Sequence, residues 1–194
     1  MGLFDAVTGR HKVKGPAPDR LFAITTAAVT LQAGYEIVPA GAAAIVFQPL
    51  ATSEFEATLR DMEEVVRATA ADSGTQVTTQ DDSYGYRWMV LRTPAIEDLA
   101  VGINAVSSSI EAAGHGERLL CAVFAFADAQ KRSIYFIYNY KRGSWYPFVP
   151  QSGTGAASTS RSTERELQLK AQIGRELPLE PEIERWFPLW GIPI

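Results

Sequence analysis

The stretch LLCAVFAFADAQKRSIYFIYNY constrains the fold more than any other part of this chain. Its first arm, Leu119 to Ala127, is apolar at successive positions, so neither face of such a strand can lie against water. That places the arm centrally in a sheet. A turn near Ala129-Gln130 leads into a second arm rich in tyrosine, phenylalanine and isoleucine, which are common strand formers. A further turn at Lys141 to Ser144 runs into WYPFV. The apolar arm is about half as long as a membrane span.

Before this stretch, helix and hairpin signals alternate. Asp19 is placed to cap a helix predicted over Arg20 to Ala33 and ended by Gly34. GYEIVPAGAAAIVFQPL is strand-like, with Pro39, Ala40 and Gly41 as a turn between two pieces. Ser53 and Glu56 have capping-box spacing, and Phe55, Leu59, Met62 and Val66 recur at helical intervals up to Gly74. TQVTTQDDSYGYRWMVLR predicts a hairpin turning at Asp81-Asp82, with Tyr84, Tyr86, Trp88 and Val90 on one face of its second arm. Thr93 and Pro94 open another helix, whose stripe is Ile96, Leu99, Ile103, Val106 and Ile110.

After the strands the composition changes. QSGTGAASTSRST is small and polar and reads as a flexible linker. Thr163 and Glu166 then cap a helix in which Glu166 and Lys170 stand one turn apart. These signals predict an α+β fold with a single, mainly antiparallel sheet packed with several helices. The expected divisions are an N-terminal apolar and basic segment at 1–18, a core domain at 19–150, the linker at 151–162, and a C-terminal helix with a docking tail at 163–194.

Candidate chemistry is sparse. Cys121 lies inside the most apolar strand, where a neutral thiol is inert. His115 falls in a helix-ending turn and His11 in the basic N-terminal stretch, so no thiol-imidazole pair is suggested. Metal-ligand spacings and a Gly-x-Ser-x-Gly elbow are missing from the sequence. SGTGAAS contains a GxG, but it runs into more Ser/Thr-rich chain instead of opening a helix. Asp81 and Asp82 suit a hairpin tip better than an acid pair. The expectation is no catalytic residue, no cofactor and no metal.

Partner chemistry is richer. The net charge of −4 argues against a dedicated nucleic-acid binder. Lys131, Arg132, Lys141 and Arg142 nevertheless bracket Tyr135, Phe136, Tyr138 and Tyr140, an arrangement that could stack single-stranded nucleic acid or meet an acidic protein patch. The second reading is preferred. At the N-terminus Leu3, Phe4 and Val7 share one side of a helix, with Arg10, Lys12 and Lys14 following. That pattern suits a weak anionic-membrane contact, a partner's groove, or a fold-back onto the domain. Asp5 within the short apolar stretch argues against a secretion signal. At the other end Trp186, Phe187 and Trp190 are too apolar to hang in water, so the tail docks on its own domain or on another chain.

MGLFDAVTGR, DRLFAITTAAVTLQAGYEIVPAGAAAIVF and ERWFPLWGIPI together resemble the PspA-associated family PspAB over nearly the whole chain. The resemblance implies an accessory role in an envelope-stress system built on phage-shock protein A, a membrane-binding coiled-coil protein. It supplies no catalytic residues. MGLFD followed by basic residues also resembles the start of phage-shock protein A itself, but Thr8-Gly9 interrupts the helix and Pro16 and Pro18 end it. The resulting expectation is a non-enzymatic adaptor in the cytoplasm, binding a PspA-like coiled-coil protein near the membrane. The candidate contacts are Leu3, Phe4, Val7, Arg10, Lys12, Lys14, Lys141, Arg142, Trp186, Phe187 and Trp190. Peripheral binding to an anionic membrane without a protein partner is the alternative, and an enzyme with an unrecognised pocket stands behind it.

Overall fold

The computed structural model describes residues 18–151 and 160–194. At its centre is a six-stranded antiparallel sheet. The strands are β1 (Val38–Phe47), β2 (Gln76–Asp81), β3 (Arg87–Arg92), β4 (Leu119–Ala127), β5 (Ser133–Asn139) and β6 (Ser144–Phe148). Their spatial order is β2-β3-β1-β4-β5-β6. The doubly apolar β4 therefore has a neighbour on each side, as its composition demands. Four helices accompany the sheet: α1 (Pro18–Tyr35), α2 (Ser53–Ser73), α3 (Ile96–Ala112) and α4 (Thr163–Ile173). The chain thus has the α+β architecture anticipated from its patterning.

Alternation along the strands divides the core in two. Ala43, Ile45 and Phe47 of β1 and Phe124 and Phe126 of β4 turn to the face that the helices cover. There they meet Leu21, Ile24 and Leu31 of α1 and the Leu99, Ile103, Val106 stripe of α3. Ala42, Ala44 and Val46 of β1, with Val123 and Ala125 of β4, turn the other way. Among the described residues, α1 to α4 contribute nothing to that second cluster. It is closed instead by Trp186, only 2% exposed, and by the partly buried Leu189, Ile192 and Ile194. The C-terminal tail is the second layer.

Several local readings change. Pro39, Ala40 and Gly41 make a bulge in one continuous strand, not a turn between two. The pairing jumps from Pro39 with Phe126 to Ala43 with Phe124, which leaves extra residues on β1. Gly41 takes φ +73 there, and its carbonyl accepts from the Thr93 N–H at 3.1 Å. In α1 the helix begins at Pro18, so Asp19 sits in the first turn and not at the cap. Its far end passes through Gly34, and the left-handed position falls on Glu36 at φ 54.

Tyr84 leaves the shared face of β3 and stands 82% exposed at the hairpin tip, while Trp88 and Val90 stay buried. The tip is built by Asp82, whose carboxylate accepts from the Tyr84 and Tyr86 N–H groups and from the Trp88 indole. At the linker, Pro150–Gln151 (β7) pairs with Ser160–Arg161 (β8), so both ends of the expected 151–162 stretch are tied; 152–159 lie outside the described residues. Ser162, not Thr163, caps α4, with its side chain accepting from the Arg165 N–H.

Two glycine substitutions separate these backbone roles. Gly41→Ala puts a side chain at positive φ with its Cβ 3.4 Å from the Thr93 carbonyl, and should cost about 1–3 kcal/mol. Gly34→Ala, in helical backbone with nothing within 4 Å of the new Cβ, should stabilise by about 0.5–1 kcal/mol. Urea denaturation of the two variants measures both, and a Gly41→Ala variant as stable as wild type contradicts the bulge.

Candidate functional site

A tail that closes a sheet needs polar anchors as well as apolar contact, because its own backbone groups must be satisfied. Two buried carboxylates supply them. Glu180 is 2% exposed, and its carboxylate binds the Arg142 guanidinium, with the Ser144 hydroxyl donating at 3.1 Å. Beside it the backbone joins the sheet: the Trp145 N–H donates to the Pro178 carbonyl at 3.0 Å and the Glu180 N–H to the Trp145 carbonyl at 2.7 Å. This covers the open edge of β6. The Trp145 indole then donates to the Arg20 carbonyl at 2.7 Å, so the start of α1 joins the same knot.

Glu166 is the second anchor, fully buried on α4. It accepts from the Val149 N–H at 2.8 Å and forms an ion pair with Arg161 at 2.6 Å. Arg161 also donates to the Trp186 carbonyl and lies over the Phe148 ring, 5.5 Å from its centroid. Lys170 is therefore not the partner of Glu166: it reaches the Pro181 carbonyl at 3.3 Å and sits 5.5 Å from the Trp186 ring. A buried carboxylate takes the partner that satisfies it best, and helical spacing does not decide which that is.

Between these anchors the aromatic residues divide. Trp186 stacks on Tyr146 with ring centroids 6.5 Å apart and donates its indole N–H to the Glu180 carbonyl at 3.0 Å. It is core. The Tyr146 hydroxyl donates to the Phe187 carbonyl and the Tyr135 hydroxyl to the Ile194 carbonyl, both at 3.1 Å. The Phe187 side chain, held by this backbone contact, remains 61% exposed. Trp190 touches Phe148 edge-on and keeps 38% exposure, as does Ile183. The tail thus offers an apolar surface on a fixed backbone.

The basic hairpin looks different in three dimensions. Lys141 is exposed at its tip, but Arg142 is neutralised by Glu180 and Arg132 by Asp128. Tyr135, Phe136, Tyr138 and Tyr140 are all buried, so no aromatic platform is open to a base. Glu180 lies far along the chain in the tail, so its pairing is not visible in the hairpin's own sequence, whereas Asp128 stands in the same turn four residues before Arg132. Leu3, Phe4, Val7, Arg10, Lys12 and Lys14 lie outside the described residues. Cys121 is buried and its thiol is pushed up to about 12 by desolvation. His115 meets the edge of the Phe55 ring at 4.8 Å.

One family model, described as PspA associated protein B, matches residues 1–194, the whole chain. The chain belongs to this family. No curated protein and no solved structure matches it. The family name ties the chain to PspA as an accessory protein. Among the described residues no helix is long and apolar enough to cross a membrane.

Neither anchor has a sequence signature. Glu166 fits a capping box, and Glu180 lies between two prolines in LPLEPEIER, where nothing announces burial. Glu166→Gln leaves Arg161 half-paired and should cost about 3 kcal/mol, whereas the exposed Glu164→Gln should be within about 0.5 kcal/mol of wild type. Differential scanning calorimetry distinguishes them.

Burial alone would raise the Glu180 carboxyl, but bonds from Arg142, the Glu182 N–H and Ser144 outweigh it and hold it below its ordinary value of 4.5. A depressed pKa contributes stability above the unfolded value and loses it as pH falls through the folded one. Acid titration below pH 4.5 should therefore red-shift tryptophan fluorescence as the tail releases Trp186. Glu180→Gln should flatten this response, and an unchanged curve in that variant contradicts the assignment.

Proposed function

We propose that this chain is a non-enzymatic accessory protein of a phage-shock envelope-stress system, and that it binds a PspA-like coiled-coil protein in the cytoplasm close to the membrane. Membership of the PspA-associated family supports the partner. The observation that carries the mode is the exposed tail surface: Phe187 and Trp190 stand 61% and 38% exposed on backbone that is fastened to the sheet. Rigid aromatic groups lose little conformational freedom on binding and are favoured as interface anchors. Their apolar faces match the hydrophobic seam of a coiled-coil helix. Lys141, exposed on the β5–β6 turn, adds a charge for an acidic rim.

The N-terminal residues Leu3, Phe4 and Val7, followed by Arg10, Lys12 and Lys14, are a second candidate contact within the same reading. Their apolar and basic order suits the partner and an anionic surface alike.

Co-purification of the full chain with the PspA-like protein of its host tests the proposal. Phe187→Ser should weaken capture at least about tenfold with an unfolding midpoint close to wild type, because an exposed side chain contributes little to folding. Leu3→Asp with Phe4→Asp should reduce capture further if the N-terminal segment participates. Wild-type protein that fails to capture the coiled-coil protein, yet floats with anionic vesicles, overturns the adaptor reading in favour of direct membrane binding.

A further inference from the structure

At the end of the molecule where β4 turns into β5, a cavity of about 750 Å³ opens against the first turns of α4. That volume lies within the range of small-molecule sites, about 300–1,000 Å³. Among the described residues three cations line it, Lys131, Arg132 and Arg165, against two carboxylates, Asp128 and Glu164. The carboxylates cancel the cations only in part and leave the described lining one positive charge in excess. Asp128 is filled by Arg132, whose Nε donates at 2.7 Å, and by the Gln130 and Arg132 N–H groups at 3.0 Å each. Glu164 is exposed and accepts from Gln168 at 3.4 Å.

Two cations therefore remain without a carboxylate among the described residues, Lys131 and Arg165. Arg165 donates through one terminal nitrogen to Gln168 at 3.0 Å, while its Nε is buried with no acceptor. Guanidinium groups present donors in the fork that matches an oxyanion. Lys131 is held in the left-handed region at φ 61, its N–H donating to the Asp128 carbonyl at 2.9 Å, so the turn fixes where the lysine leaves the backbone. Ile134, Val149 and Pro150 give the cavity an apolar wall beside these charges.

We propose that this cavity binds a phosphate ester carrying an apolar group, with the phosphate between Lys131 and Arg165 and the apolar part against Ile134, Val149 and Pro150. A soluble phosphate ester and the headgroup of an anionic phospholipid share this chemistry. The site uses neither the tail surface nor the N-terminal segment, and it stands independently of the partner reading.

Calorimetric titration of the full chain with phenyl phosphate and with inorganic phosphate tests the site, beside flotation with phosphatidylglycerol vesicles and pure phosphatidylcholine vesicles. Phenyl phosphate should bind saturably and more tightly than inorganic phosphate. Arg165→Gln should weaken it about tenfold, and Arg165→Lys should restore part of the loss, because charge remains but the fork does not. Lys131→Gln, at an exposed turn, should weaken it severalfold and serves as the deciding variant should Arg165→Gln fail to fold. Flotation with phosphatidylglycerol that is lost in these variants identifies the headgroup as the source. Phenyl phosphate binding without flotation identifies a soluble ester. No saturable binding of either phosphate up to roughly 10 mM, or equal affinity in both variants, overturns the proposal.

Discussion

The structure depends on covering the second face of its sheet. Helices α1, α2 and α3 and the C-terminal helix α4 share a core with one face, and the alanine and valine positions that turn the other way would meet water without further chain. The residues after α4 meet that need with an irregular strap whose inner tryptophan, Trp186, is as buried as the strands beneath it. Small residues on the sheet, Ala42, Ala44 and Ala125, leave room for an indole and for the aliphatic groups of Leu189, Ile192 and Ile194. Burial of a large aromatic side chain contributes about 2–3 kcal/mol, enough to outweigh the ordering of several tail residues only when combined with the other contacts.

An irregular strap has no internal hydrogen-bond ladder, and this explains where the buried charges lie. Glu180 fastens the start of the tail to the β5–β6 turn, and Glu166 with Arg161 fastens its middle to the end of β6. Buried ion pairs add little net stability against apolar replacements, but they are costly to half-remove, so they select one seating of the tail over its neighbours. The same seating decides which aromatic rings are available outside. With Trp186 inside and the Phe187 carbonyl held by Tyr146, the Phe187 side chain points to solvent on a backbone that cannot retreat.

The α+β body presents a small apolar surface on the fixed tail at one place and a cavity lined by Lys131 and Arg165 at another. Neither feature requires a nucleophile. Cys121, the one thiol in the chain, is enclosed in the sheet and held protonated by desolvation.

What the sequence determined by itself is local and periodic. The helical stripes of α2 and α3, the hairpins and the central place of β4 follow from side-chain spacing, because 3.6- and 2-residue periods place apolar groups on one side of an element. The β1 bulge was not legible as such, since Pro-Ala-Gly serves a turn or a bulge equally and only pairing with β4 on one side and Thr93 on the other chooses between them. Burial of the tail could be read from its tryptophans, but which ring enters the core could not. That choice, like the pairing of Arg142 with Glu180 and of Arg161 with Glu166, joins residues that different elements carry. Tertiary structure alone decides it, because a buried charge or indole is satisfied by whatever the fold brings within hydrogen-bond distance, and sequence spacing does not encode that distance.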